Sequence, residues 1–108
     1  MIHVLDESQI NQEVVRNSGK LMLLNVCADW CLPCEILDPI LTELDKKYKN
    51  VEFYRVNSDE ASNFQTTNNI TSIPTLIFYK DGEEKERIVG VESLEKLSNV
   101  IDEYIKED

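Results

Sequence analysis

The chain is predicted to fold as an α/β protein, with a central mixed sheet of about five strands and about four helices spread over both faces. Three observations carry this. Strand-length apolar runs such as Leu21 to Cys27 and Thr75 to Tyr79 alternate with segments of helical period such as Leu37, Ile40, Leu41, Leu44 and Tyr48. The resulting order, β-α-β-α-β-α-β-β-α, puts alternating units first and a hairpin later, so parallel and antiparallel pairs share one sheet. At 108 residues the chain is also long enough to bury roughly two-thirds of its unfolded surface, so its core needs no staples. Residues 1–108 are read as a single domain, with no repeat, linker or low-complexity segment.

Each element has a local reason. Ile2 to Leu5 suits a short edge strand, and Asp6 or Ser8 can cap a helix carrying Ile10, Val14 and Val15 that Gly19 closes. Leu21 to Cys27 is apolar enough to be buried on both faces. A helix from Cys31 to Tyr48 follows, with Pro39 inside it deleting one hydrogen bond and introducing a kink. Lys49-Asn50 turns into a strand over Val51 to Asn57, and Ser58 or Asp59 can cap a short helix through Ala61 and Phe64. That helix is expected to end before a polar loop, Thr66-Thr67-Asn68-Asn69. Thr75 to Tyr79, a Lys80-Asp81-Gly82-Glu83 turn and Arg87 to Val89 read as a hairpin. Ser93 then caps an amphipathic helix bearing Leu94, Leu97, Ile101, Tyr104 and Ile105.

Charge limits the partners. With 21 acidic against 11 basic side chains the formal net charge is −10, so nucleic acid and anionic membrane would both be repelled. The acidic excess reads first as a solvated surface that keeps the protein in solution. Three cysteines, an odd number, do not suit a secreted disulfide framework. The start, Met1-Ile2-His3-Val4-Leu5-Asp6-Glu7, lacks the cationic and apolar regions of a signal peptide, and no apolar run approaches membrane-spanning length. Reducing cytoplasm is the expected compartment, where a close cysteine pair is catalytic or metal-binding rather than structural.

Chemistry concentrates in Ala28-Asp29-Trp30-Cys31-Leu32-Pro33-Cys34, where the buried strand gives way to a helix. A helix start offers unpaired N–H groups and a partial positive charge, and both favour a thiolate. Cys31 is therefore the candidate reactive sulfur. Cys34, three residues on, lies on the same face and close enough for a small-ring disulfide that opens and closes with little backbone movement. Cys31 as nucleophile on a substrate disulfide, and Cys34, more buried, as the thiol that resolves the mixed disulfide, form a complete exchange cycle. Two metal readings stand beside it. Cys27, Cys31 and Cys34 form C-x-x-x-C-x-x-C, a spacing also used by the iron–sulfur site of radical SAM enzymes, which need a much larger barrel-like domain. A zinc site would need His3, the only histidine, from a distant strand. Neither fits, so no metal is expected.

Three separated signals now resemble one family: Trp30-Cys31-Leu32-Pro33-Cys34 after a buried strand, Ile73-Pro74-Thr75 opening the next-to-last strand, and Asp81-Gly82 followed by Val89-Gly90. Along nearly its whole length the chain is similar to the thioredoxins. The resemblance implies a thioredoxin fold and a thiol–disulfide oxidoreductase that reduces protein disulfides, serving electron transport and cell redox homeostasis. It implies no bound cofactor, recharging by an external thioredoxin reductase, and a monomer. It also implies that a cis bond precedes Pro74 beside the cysteines, that the backbone of Ile73 pairs with extended substrate, and that Trp30, Leu32, Pro33 and Gly90 complete the binding surface. Trp30 otherwise reads as a packing residue.

The departures from the family pattern bear on rate and potential. Where thioredoxins carry a buried aspartate under the site, this chain has Asn25, and an amide cannot act as a base. It also removes a negative charge that would oppose thiolate formation. Leu32 stands in place of the usual glycine, which favours helix by roughly 0.5–1 kcal/mol and adds apolar surface. Glu35 stands where a basic residue is common, and with Asp29 it works against a thiolate on Cys31. Cys27 replaces an aromatic residue and reads first as a small buried hydrophobe. These changes leave open a domain kept as a binding module, and the direction of exchange, reducing, oxidising or isomerising, stays open with the potential.

Overall fold

The computed structural model describes residues 2–106. Its elements run β1 (His3–Leu5), a 3-10 turn at Glu7–Gln9, α1 (Ile10–Arg16), β2 (Leu21–Cys27), α2 (Leu32–Lys47), β3 (Glu52–Asn57), a 3-10 turn at Ser58–Glu60, α3 (Ser62–Thr67), β4 (Thr75–Lys80), β5 (Glu83–Val89) and α4 (Leu94–Ile105). The sheet order is β1-β3-β2-β4-β5. β1 and β2 flank β3 in parallel, whereas β4 runs antiparallel to both β2 and β5. The expected mixed sheet is therefore present, with β2 at its centre and all seven of its residues buried.

Side-chain alternation along β2 divides the core in two. Leu21 and Leu23 pack with Leu37, Leu41 and Leu44 of α2 and with Leu97 and Ile101 of α4. Met22, Leu24 and Val26 pack on the other face with Ile10 of α1, Ala61 and Ile70. By the same alternation Asn25 and Cys27 face the α2 side, at the end of β2 where α2 begins. The end of α2 is tied to α4 by the Tyr48 hydroxyl, 2.7 Å from Asp102 Oδ1.

Several local expectations are corrected. Val15 and Leu94 hold helical spacing but are exposed, because short α1 and the first turn of α4 cover only one stripe of sheet. α1 stops at Arg16 rather than at Gly19: the Asn17 N–H still reaches Glu13 O at 3.0 Å, but the Ser18 N–H tightens onto Val15 O at 3.1 Å and the α-helical ladder ends. Neither Ser58 nor Asp59 caps the next helical turn; the Asn57 side chain does, accepting from the Asp59 N–H at 3.0 Å. α3 also runs through Thr66 and Thr67, with Asn68 donating to Phe64 O at 2.8 Å to finish it. The hairpin strands are longer than expected, so its turn shrinks to Asp81-Gly82, both with positive φ, as a two-residue turn requires. Ser93 caps α4 as expected, accepting from the Lys96 N–H at 3.1 Å. α2 continues through Pro39 to Lys47.

Candidate active site

Cys31 is the N-cap of α2, with extended backbone angles, and its sulfur accepts the Cys34 N–H at 3.3 Å. The cap position normally taken by a serine or aspartate oxygen is thus filled by the Cys31 sulfur. Pro33 lies in the first helical turn, where a missing N–H costs nothing and its fixed φ suits the helix. The loop into this turn is closed by the Cys31 N–H bonding Ala28 O at 3.2 Å. Strand end, tight turn and helix start therefore set the sulfur by backbone geometry.

Both cysteines are largely covered, Cys31 at 5% and Cys34 at 1% exposure, and with Cys27, Ala28 and Ile73 they form a small core of their own. All three cysteines are free thiols. Burial, and then its hydrogen bond with Cys31, push the Cys34 thiol up to about 12. Burial likewise pushes Cys27 up to about 11, against the opposing pull of the Arg55 guanidinium. Cys27 packs in the same cluster as Cys31 and Cys34 and is the innermost of the three at 0% exposure. That burial fits the reading of Cys27 as a small apolar filler.

The Ile73-Pro74 bond is cis, as the resemblance implies, and the carbonyl of Ile73 lies 4.0 Å from the Cys31 sulfur. The Gly90 N–H donates to Pro74 O at 2.8 Å, which brings the segment after β5 beside the same turn. Gly90 has φ +90, a conformation that favours glycine. Trp30 is not a packing residue: it is 69% exposed, and its indole N–H donates to both oxygens of Asp59, at 3.1 and 2.8 Å. Leu32 is exposed beside it, as is Glu35 in the first turn of α2. Trp30 and Ile73 wall a groove of about 260 Å³ that Ser58, Gln65, Ile70 and Ser72 help to line. A larger cavity, about 470 Å³, lies between α1 and α3 and touches none of the cysteines.

Asn25 is 2% exposed, and its Oδ1 has no hydrogen-bond partner among the described residues. Its neighbour in register on β3 is Arg55. Arg55 reaches from the sheet to Asp29 ahead of the cysteines, at 2.9 Å, and to Asp38 on α2, at 3.4 Å. Sequence reasoning missed Arg55, Asp38 and Asp59 as neighbours of the site. One signal was available: Arg55 occupies an α2-facing position of β3, two residues after Phe53, which is core. The Trp30–Asp59 bond, across 29 residues, left no such trace.

Comparison with known proteins bears directly on this arrangement. A family model described as Thioredoxin matches residues 1–103. The chloroplastic M-type thioredoxin of Spinacia oleracea is 38% identical over 95 residues, 87% of this chain and 52% of that protein. The thioredoxin of Chlamydia pneumoniae is 42% identical over 84 residues, 78% of this chain and 82% of that one. The chain spans 52% and 60% of the lengths of the chloroplastic relatives from Spinacia oleracea and Pisum sativum. The X-ray structure of Fasciola hepatica thioredoxin superposes with a TM-score of 0.85 at 29% identity, covering 95% of this chain and 98% of that one. With the cysteine pair on the helix start, the cis-proline turn beside it and a family match over nearly the whole length, the chain belongs to the thioredoxin family.

Proposed function

We propose that the protein is a thiol–disulfide oxidoreductase that reduces protein disulfides through a reversible Cys31–Cys34 dithiol/disulfide. The observation that carries the reading is the Cys31 sulfur at the start of α2, accepting the Cys34 N–H at 3.3 Å, with the Cys34 sulfur buried behind it. A thiolate on Cys31 attacks one sulfur of the substrate disulfide; that S–S bond breaks and the other substrate sulfur leaves as a thiolate. Cys34 then loses its proton and attacks the Cys31 sulfur, the mixed disulfide breaks, and the substrate departs with both its sulfurs reduced. Two electrons have moved from the protein dithiol to the substrate, leaving Cys31–Cys34 oxidised.

Recharging then falls to an external thioredoxin reductase, with no cofactor held by this chain. Trp30, Leu32, Pro33, Ile73, Pro74 and Gly90 form the substrate surface, with the Ile73 backbone as the docking edge for an extended segment. Asn25, Cys27 and Glu35 set rate and potential rather than taking part in the exchange. The active unit is a monomeric domain of residues 1–108 working in the cytoplasm, with neither nucleic acid nor membrane as partner. Among the described residues no helix is long and apolar enough to cross a membrane. The test is trapping: Cys34→Ser is expected to hold substrates covalently on Cys31, while Cys31→Ser neither traps nor turns over. A Cys34→Ser protein that traps nothing with Cys31 open to alkylation would overturn the order of attack, and wild-type protein without turnover would favour a binding module.

A further inference from the structure

We infer that the substrate face selects disulfides carried on extended segments flanked by lysine or arginine. The inference rests on the proposed function and names the class of substrate that the same site takes. Four segments build the face: 29–36 around the cysteines, 57–60 joined to Trp30 through Asp59, 70–74 with the cis-proline turn, and 89–92 held to Pro74 by the Gly90 N–H. They carry five carboxylates, Asp29, Glu35, Asp59, Glu60 and Glu92, and no lysine or arginine. Arg55 answers Asp29 from the sheet, and Lys96 answers Glu92 at 3.1 Å. Glu35, Asp59 and Glu60 are exposed and have no cation within ion-pair distance among the described residues.

The distribution is polarised rather than uniformly acidic. β2 and β3 run toward the cysteines while β4 runs away from them, so Lys20 before β2 and Lys80 at the end of β4 lie at the opposite end of the sheet. Lys46, Lys47 and Lys49 lie there too, because α2 starts at the cysteines and ends at Lys47. Those lysines are matched at the same end by Glu52, 3.4 Å from Lys20, and by Asp45, Asp81 and Glu83, whereas the four segments of the face carry carboxylates alone. The apolar centre of the face, exposed Trp30, Leu32 and Ile36, holds the residues next to the substrate disulfide without regard to charge. The carboxylates around it meet the flanks, and there a cationic segment is attracted and oriented while an anionic one is turned away.

Three synthetic peptides with one internal disulfide, identical at the centre and flanked by lysine, by serine or by glutamate, serve as probes against pre-reduced full-length protein. The rate of oxidation of the dithiol is followed by tryptophan fluorescence. At about 10 mM salt the lysine-flanked peptide is expected to react about tenfold faster than the serine-flanked one, and the gap to close at about 500 mM. Normalising to the serine-flanked peptide cancels any change in the cysteines themselves. The double variant Glu35→Lys, Glu60→Lys is expected to abolish the preference, whereas Glu83→Lys, Glu103→Lys, with the same net charge change at the far end, retains it. Equal rates for all three peptides, a glutamate-flanked peptide that is fastest, or loss of the preference in the far-end variant as well would each overturn the inference. If the serine-flanked peptide is not reduced at any salt concentration, the proposed function itself falls.

Discussion

Replacing Asn25 by aspartate tests what sets the rate of the second step. Asn25 sits on the α2-facing side of β2, 2% exposed, with its Oδ1 unpartnered among the described residues, so a carboxylate would fit the site without displacing an existing hydrogen bond. The Cys34 thiol has to lose its proton to resolve the mixed disulfide, and burial holds that proton tightly, pushing it up to about 12. The amide at position 25 cannot take that proton. A positioned general base contributes roughly 10²–10⁴-fold to such a transfer. Because the new carboxylate would act at some distance and be partly protonated by burial, an acceleration at or below the low end of that range, about 10–100-fold at pH 7, is expected. A symmetric aromatic disulfide that releases a coloured thiolate separates the steps: attack by Cys31 releases the first equivalent and resolution by Cys34 the second. In Asn25→Asp the first phase should slow slightly, since a buried negative charge opposes the Cys31 thiolate, while the second accelerates. Stability changes with a definite sign. Burial raises the folded carboxyl above its unfolded value, so the variant is close to wild type in acid and loses stability as pH rises through the unfolded value near about 4. The loss is about 1.4 kcal/mol for each tenfold by which folding tightens the carboxyl's hold on its proton. A second phase in Asn25→Asp equal to or slower than wild type, in protein that remains folded by circular dichroism, refutes the reasoning.

Other consequences follow from the same geometry. In wild-type protein the second phase should climb about tenfold per pH unit from pH 6 to 9 without a plateau, because the Cys34 thiol titrates above that range; a plateau below pH 8 would mean another group supplies the base. Cys27→Ala removes a fully buried sulfur beside the pair and should cost about 1–2 kcal/mol in a urea titration while altering the turnover rate without abolishing it. Loss of turnover would instead place Cys27 in the exchange. Phe78→Ala, at the fully buried centre of β4, should cost about 3–5 kcal/mol in the same titration. Asp59→Asn removes a charge-assisted acceptor from the Trp30 indole; Trp30 emission should shift, the KM for protein disulfides rise, and the urea midpoint move by less than about 1 kcal/mol, since both groups are exposed.

How much of this was legible depends on whether the determining contact is local. β2 is bounded in the structure as in the sequence, Leu21 to Cys27, because an unbroken apolar run of that length has few alternatives in a mixed sheet. α2 likewise begins at the cysteines, where Pro33 in the first turn fixes the start. The i, i+3 placement of the two sulfurs followed from that start alone. What escaped depends on side chains meeting across the fold. Val15 and Leu94 look like core by spacing, and only the width of the covered stripe shows them to be exposed. Asp59 reads as a helix cap from its neighbours, yet Asn57 caps the turn and Asp59 turns to the indole of Trp30. Arg55 pairs with carboxylates 26 and 17 residues away, and no local pattern announces either partner.

These two kinds of determinant divide the chemistry as well. The capacity for exchange rests on backbone: the helix start that lets the Cys31 sulfur accept the Cys34 N–H, the i, i+3 spacing, and the turn that sets Ile73 O 4.0 Å from the reactive sulfur. Substitutions that respect the backbone, such as Leu32 between the cysteines, leave all three in place. In the proposed exchange, rate would be set by side chains around the sulfurs, and there the chain places an amide at Asn25, an arginine next to it in register and a carboxylate at Asp38 on α2. Among the described residues the anionic groups on Arg55 come from Asp29 and Asp38, one on either side of the cysteine pair in sequence, so the guanidinium clamps the loop before the motif to the helix after it. Arg55→Met should therefore loosen that junction and speed alkylation of Cys34, which is buried, more than alkylation of Cys31. Uniform slowing of both thiols would show instead that Arg55 acts on the sulfurs through its charge alone, since a nearby guanidinium favours thiolate and its loss disfavours it.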